Sequence, residues 1–308
     1  MDILSVGEIV IDFLPGGPGV YIRKPGGAPA NVAVAMSRLG RGAAFCGCAG
    51  DDDFGRFLLD TLRQNGVLPL LKLTKEAITT MAFVSLNEYG ERSFTFARKP
   101  GADMYLTAAQ VEAADISRFG IVHAGSCSLS GGSAAEATVY ALKEAARQRK
   151  LVSFDVNYRD LLWDGDRAAA AKAVQSVLPY VDLLKVSDDE TDMVGGEEVL
   201  PLLRERYGIS AVVETLGRGG ARCFFDGKML PCPGIPSDAV DTTGAGDAFF
   251  GGFLSEFVKS GKSVYEVSID DMVRFARVGC ATASLCIGRR GGIPSMPTME
   301  EVTELLNG

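Results

Sequence analysis

The chain has 308 residues, 47% of them hydrophobic, enough to bury the core of one large α/β unit or of two smaller domains. Its net charge of −8 argues against polyanionic partners, so neither nucleic acid nor an anionic membrane surface is expected. No apolar run approaches the roughly 18 residues of a membrane span, and Met1-Asp2-Ile3 lacks the basic start of a signal peptide. Seven cysteines without C-x-x-C spacing read as buried thiols of a reducing, cytoplasmic compartment.

Ile3-Leu4-Ser5-Val6-Gly7 is a short apolar run followed by Glu8-Ile9-Val10-Ile11, so Asp12 is expected just beyond a buried strand, at the edge where α/β sheets bind ligands. Residues 15–20 read as loop and Tyr21-Ile22-Arg23 as a short edge strand. The stretch from Pro25 through Gly26 and Gly27 to Asn31 then enters a helix with Val32, Ala35, Met36 and Leu39 on one face, Asn31 as its cap and Gly40 as its stop. Gly26 and Gly27 either leave space for a ligand or form a simple turn.

Residues 43–49 form a strand of small side chains, and a helix with Phe54, Phe57, Leu58 and Leu62 on one face follows, ending at Gly66. The alternation breaks at 80–98, where two strand-like runs flank Asn87-Glu88-Tyr89-Gly90, a hairpin by its turn chemistry. Together these segments predict a small antiparallel lid from about 13–26 and 79–100. Strands are then expected at 119–124, 151–155, 182–186, 210–215 and 221–225, with helices at 133–148, 166–178 and 196–207. This rhythm implies a mostly parallel sheet with helices on both faces, in one domain over 1–308. His123, the only histidine, reads as a strand-end residue, since it has no metal-binding companions.

The most informative stretch is Asp241-Thr242-Thr243-Gly244-Ala245-Gly246-Asp247, small residues opening into an amphipathic helix that ends near Gly261. The backbone N–H groups of Thr243 to Gly246 can approach a ligand closely at the positive end of the helix dipole, where a phosphate would be held. Asp247 beside that anion suits a group that deprotonates an alcohol, so the pairing suggests phosphoryl transfer to a hydroxyl. The competing reading is a helix start with an ordinary acidic cap. Neither a P-loop nor a third glycine of a dinucleotide fingerprint is present.

Two motifs, Gly26-Gly27-Ala28-Pro29-Ala30-Asn31-Val32-Ala33-Val34-Ala35 and Asp241 through Phe249, resemble the paired signatures of the ribokinase-like (PfkB) carbohydrate kinases. The likeness runs over essentially the whole chain. Within the family, the wording of 96–103, 154–163 and 184–190 is most similar to fructokinases. The resemblance implies an ATP-dependent sugar kinase using Mg²⁺, with D-fructose as the foremost acceptor and 2-keto-3-deoxygluconate as the alternative. A non-catalytic homologue that binds sugar or nucleotide is the reading from another class.

On that resemblance Asp247 is the catalytic base, with Gly244, Ala245 and Gly246 as the anion hole. Asp12, Gly26, Gly27, Asn31, Phe96, Arg98 and Arg159 meet the sugar; Ser187, Thr215, Gly217, Gly220, Thr243 and Cys280 border the nucleotide. Glu190 acts indirectly on Mg²⁺, and Asp241, Thr243, Gly291 and Ser295 offer oxygens to a monovalent cation, K⁺. Two departures stand out. The family's Asn-x-x-Glu element appears as Ser187-x-x-Glu190, and its adenine-pocket Asn falls at Cys280. The resemblance also implies a homodimer through the lid.

Overall fold

The computed structural model describes residues 1–17, 19–86 and 92–308. In chain order the strands are β1 (Ile3–Val6), β2 (Val10–Gly17), β3 (Val20–Gly26), β4 (Ala43–Gly50), β5 (Leu68–Thr74), β6 (Met81–Leu86), β7 (Arg92–Ala97), β8 (Ile121–Gly125), β9 (Leu151–Asp155), β10 (Leu183–Ser187), β11 (Ala211–Thr215), β12 (Gly220–Phe225) and β13 (Lys228–Pro233). The α-helices are α1 (Ala28–Arg38), α2 (Asp53–Gln64), α3 (Ala108–Ala113), α4 (Gly132–Arg147), α5 (Arg167–Val177), α6 (Leu203–Tyr207), α7 (Ala245–Ser260), α8 (Ile269–Ile287) and α9 (Met299–Asn307).

Nine strands form the main sheet in the order β13-β12-β11-β10-β9-β8-β1-β4-β5. All pairings from β11 to β5 are parallel, and only the β11–β12 and β12–β13 pairings at one edge are antiparallel. β4 and β8 are buried along their whole length, as strands covered on both faces must be. One layer packs α1, α7 and α8 on the sheet around Phe250, Phe253 and Phe275; the other carries Phe119 and Phe154 with α4 and α5. Phe253 and Phe275 meet edge to face at 5.6 Å, locking α7 to α8. A Cβ on Gly251 would lie 2.5 Å from the Ala35 methyl, so a glycine is what lets α7 approach α1. That approach brings the two signature motifs together.

The second sheet has the order β3-β2-β6-β7. β2–β3 and β6–β7 are antiparallel hairpin pairs, joined by a parallel β2–β6 pairing. The turn expected at Asn87-Glu88-Tyr89-Gly90 lies outside the described residues.

The structure corrects several expectations. Asp12 sits within β2 rather than beyond a strand, because β2 begins at Val10 and runs through Pro15 to Gly17. Asn31 does not cap α1: the helix starts at Ala28 after Gly27, with Pro29 in its first turn, and the Asn31 side chain is spent elsewhere. The helix expected at 196–207 is mostly 3₁₀, since Pro201 interrupts it and only Leu203–Tyr207 is α-helical. β13 was not expected, being an edge strand with prolines at 231 and 233.

Candidate active site

Chemistry concentrates at the start of α7. Gly244, in a left-handed conformation, is its N-cap, and Asp247 lies in the first turn, 4% exposed. Asn31 of α1 donates through Nδ2 to one Asp247 oxygen at 2.7 Å, and Asn157, after β9, donates to the other at 3.0 Å. Asn157 adopts φ of 39°, a left-handed conformation that asparagine tolerates better than most residues. It is an active-site residue that sequence reasoning missed. Burial, aided by the nearby Asp155 carboxylate, raises the Asp247 pKa to about 6, against the opposing pull of Asn31, Arg159 and Lys185.

The turn before α7 narrows the expected set of anion donors. The Thr243 N–H is taken by an Asp241 oxygen at 2.9 Å and that of Ala245 by the Thr242 carbonyl at 3.2 Å. The N–H groups of Gly244 and Gly246 have no partner among the described residues, and α7 adds its dipole there. Beneath them, Lys185 of β10 is 4% exposed, and its Nζ lies 2.9 Å from each oxygen of Asp155. A Cβ on Gly246 would stand 3.2 Å from that Nζ. Burial opposes the Lys185 charge, but the carboxylates of Asp155 and Glu190 outweigh it and raise its pKa. Lys185 and Asp155 also went unrecognised in the sequence.

A cavity of about 480 Å³ opens beside Asp247, lined by Asp12, Gly27, Asn31, Phe96, Arg98, Arg159, Thr243 and Gly244 among others. Most of the expected sugar residues therefore share one wall. Asp12 is half-buried, and enclosure pushes its pKa up to about 7, with Asp241 and Asp247 adding to the rise and Arg159 opposing it. Gly26 packs under Asp12: a Cβ there would lie 2.0 Å from a carboxylate oxygen. Arg98 is not a solvated arginine. It is 7% exposed, its Nε donates to Asp103 at 2.8 Å, and its guanidinium also reaches Ser130 and the Cys127 carbonyl.

Glu8, unremarked in the sequence, also lines the cavity. It accepts from the Ala28 N–H at 3.2 Å through one oxygen, while the other is buried without a hydrogen-bond partner. Burial lifts its pKa to about 7, with the Asp103 charge adding and Arg98 opposing. Gly27 makes this junction possible: its φ is 109°, and a Cβ would lie 2.6 Å from the Glu8 carbonyl oxygen.

The expected nucleotide residues divide. Ser187 and Thr215 sit at the carboxyl ends of β10 and β11, and Gly217 opens onto free space. Gly220 instead faces the hairpin, where a Cβ would meet the Cys232 carbonyl at 2.2 Å. Cys280 is 6% exposed, with its sulfur 4.0 Å from that of Cys232. Glu190 accepts from the amides of Tyr158 and Ser187 at 2.7 and 2.9 Å. It thereby fastens the Asn157 loop to the end of β10, a positioning role. Asp241, Thr243, Gly291 and Ser295 do converge: Asp241 accepts from the amides of Thr243 and Gly291, and Ser295 donates to the carbonyls of Gly291 and Gly292. His123 lies buried inside β8 rather than at a strand end, bonded to Ser153, and burial beside Lys185 lowers its pKa to about 3.

The described residues contain no group of three or more His, Cys, Asp or Glu that could hold a metal, and no helix long and apolar enough to cross a membrane. Comparison with known proteins gives a concordant result. The chain is 38% identical to maize Fructokinase-1 over 99% of its own length and 97% of that protein's. It superposes on the Xylella fastidiosa fructokinase solved with bound ATP with a TM-score of 0.93 at 31% identity, covering 99% of this chain and 98% of that one. Vibrio cholerae fructokinase matches in a form with fructose, ADP and calcium ion (TM-score 0.88, 31% identity) and, as a double mutant, in one with fructose, ADP and potassium ion (0.89, 30%). Each covers 99% of this chain and 98% of its own. The model of the pfkB family carbohydrate kinases matches residues 2–299, and the chain belongs to that family.

Proposed function

We propose that this chain transfers the γ-phosphoryl group of ATP to the 6-hydroxyl of D-fructose. The reading rests on one observation above others: a buried carboxylate, Asp247, is gripped on both oxygens by Asn31 and Asn157 beside the two free N–H groups that open α7. Each oxygen keeps a lone pair, so Asp247 accepts the proton of the sugar hydroxyl as that oxygen attacks phosphorus in line and ADP leaves. The N–H groups of Gly244 and Gly246, with Lys185 beneath, stabilise charge on the transferring group.

Fructose is favoured over 2-keto-3-deoxygluconate by the charge of the cavity wall. Glu8, Asp12, Asp160 and Asp247 face two arginines, one already committed to Asp103. A neutral polyol fits such a wall better than a carboxylate does. The second sheet carries Asp12 at the cavity rim and acts as a lid that excludes water from ATP.

Mg²⁺ would come held by ATP oxygens and water, with Glu190 reaching it only through water, and it neutralises phosphate charge. The oxygens of Asp241, Thr243, Gly291 and Ser295 are of the hard type that suits K⁺, which would brace the Gly244 turn. Homodimerisation through the lid is supported by the outer strand β3, where Val20, Tyr21 and Ile22 are 53, 49 and 42% exposed. The thiols and the acidic charge agree with a cytoplasmic protein. The deciding experiment measures ADP release with Mg-ATP and K⁺ against fructose, 2-keto-3-deoxygluconate, ribose and no sugar. Fructose is expected to give the highest kcat/KM; preference for another sugar would overturn the assignment.

A further inference from the structure

All seven cysteines are buried free thiols, but Cys232 and Cys280 differ in having their sulfurs 4.0 Å apart. Cys232 belongs to β13, the outermost strand of the main sheet, and Cys280 to the middle of α8, which covers it. The contact lies at a seam, not in the sheet's centre. A fluctuation of an edge strand, far smaller than global unfolding, admits a small reagent. A disulfide needs sulfurs about 2.05 Å apart, so the pair must close by about 2 Å, within the range of a rotamer change and a slight strand shift.

The surroundings favour reaction at Cys232. The two sulfurs are within hydrogen-bonding distance of each other, and the positive charge of Arg277, one helical turn before Cys280, reaches both. These two influences hold the Cys232 thiol below its ordinary pKa despite burial. Cys223, on the neighbouring strand, is instead engaged with the Met272 carbonyl, and burial raises its pKa to about 12.

The position of the pair gives its oxidation a consequence. The chain between residues 232 and 280 contains the 241–247 turn and all of α7. Past Cys280, α8 ends at Ile287, whose carbonyl accepts from the amides of Val240 and Asp241, and Cys286 touches the Thr243 carbonyl. A displacement of α8 toward β13 is therefore passed directly to the anion turn.

We propose that Cys232 and Cys280 form a reversible oxidation site, at which a hydroperoxide converts the two thiols to a disulfide and thereby slows phosphoryl transfer. The Cys232 thiolate attacks the peroxide oxygen, giving a sulfenic acid and releasing water from hydrogen peroxide. The Cys280 thiol then attacks that sulfur, the S–S bond forms, and a second water leaves. Two electrons pass from the thiols to the peroxide, and a dithiol reductant reverses the bond.

The test treats purified protein with hydrogen peroxide, blocks remaining thiols by alkylation and maps peptides without reduction. A peptide linking residues 232 and 280 is expected, with turnover falling at least fivefold and returning on addition of dithiothreitol. Cys232→Ala should resist the loss under the same treatment. Absence of the linked peptide in the wild-type protein would overturn the proposal, and this arm needs no variant to fold. Parallel loss in wild type and Cys232→Ala would place the sensitive thiol elsewhere, foremost at Cys127 in the cavity wall. A linked peptide with unchanged turnover would refute the effect on catalysis.

Discussion

Asp247 illustrates how a carboxylate can be buried without being silenced. Two asparagine amides replace water on its oxygens, while desolvation brings its proton affinity close to neutrality, where a general base works best. Asp247→Asn should lower kcat on the order of 10² to 10⁴ with circular dichroism unchanged; full turnover would remove Asp247 from the base role and favour a non-catalytic protein. In the wild type, kcat/KM should rise with pH through about 6 as Asp247 loses its proton, a limb that Asp247→Asn should abolish. Glu8 makes a different prediction. Its folded pKa of about 7 exceeds the ordinary 4.5, so its proton stabilises the fold below pH 4.5, and that contribution is lost as pH rises through 7. Glu8→Gln should therefore match wild-type stability near pH 5 and exceed it by about 1–3 kcal/mol at pH 8 in urea melts.

At the scale of elements, the first turn of α1 is where two carboxylates are arranged. Its Ala28 amide holds Glu8, and one turn later Asn31 holds Asp247. Gly27 sits at the crossing, so Gly27→Ala should destabilise by about 2–4 kcal/mol in chemical denaturation, from left-handed strain and a backbone clash together. Much of this was legible beforehand. The run of small residues before Asp247 marked a tight turn opening a helix, which Gly244 and α7 form, and the strand–helix rhythm of 119–225 was visible in its apolar periods. What was not legible depended on contacts across the sequence. Asn157 just after β9 and Lys185 within β10 look like ordinary residues in the sequence, and only β9 and β10 lying side by side gives them a shared setting. Asn31 looked like a cap because caps are read locally, while its true partner lies 216 residues away. The resemblance carried Arg98 to the sugar site but not the ion pair with Asp103 that fixes its direction.

At the scale of the molecule, the two sheets meet at the cavity, and function should respond to agents acting far from Asp247. Replacing K⁺ by tetramethylammonium should lower kcat several-fold if the Asp241 cluster takes a cation; equal rates would discard that part of the reading. Ile22→Lys on the exposed outer strand should convert a dimer to monomer in sedimentation, and a wild-type protein already monomeric would dismiss pairing through the lid.

The sheet order has a final consequence for how the enzyme is made. β1 lies between β4 and β8, so its second neighbour is translated roughly 120 residues after it. At about 5–20 residues per second, the nascent chain carries a half-paired central strand for several seconds. Asp247 is translated later still, roughly 240 residues after β1. Products stalled before this point accordingly lack Asp247 and the turn ahead of α7 together, and on the proposed mechanism they would not consume ATP.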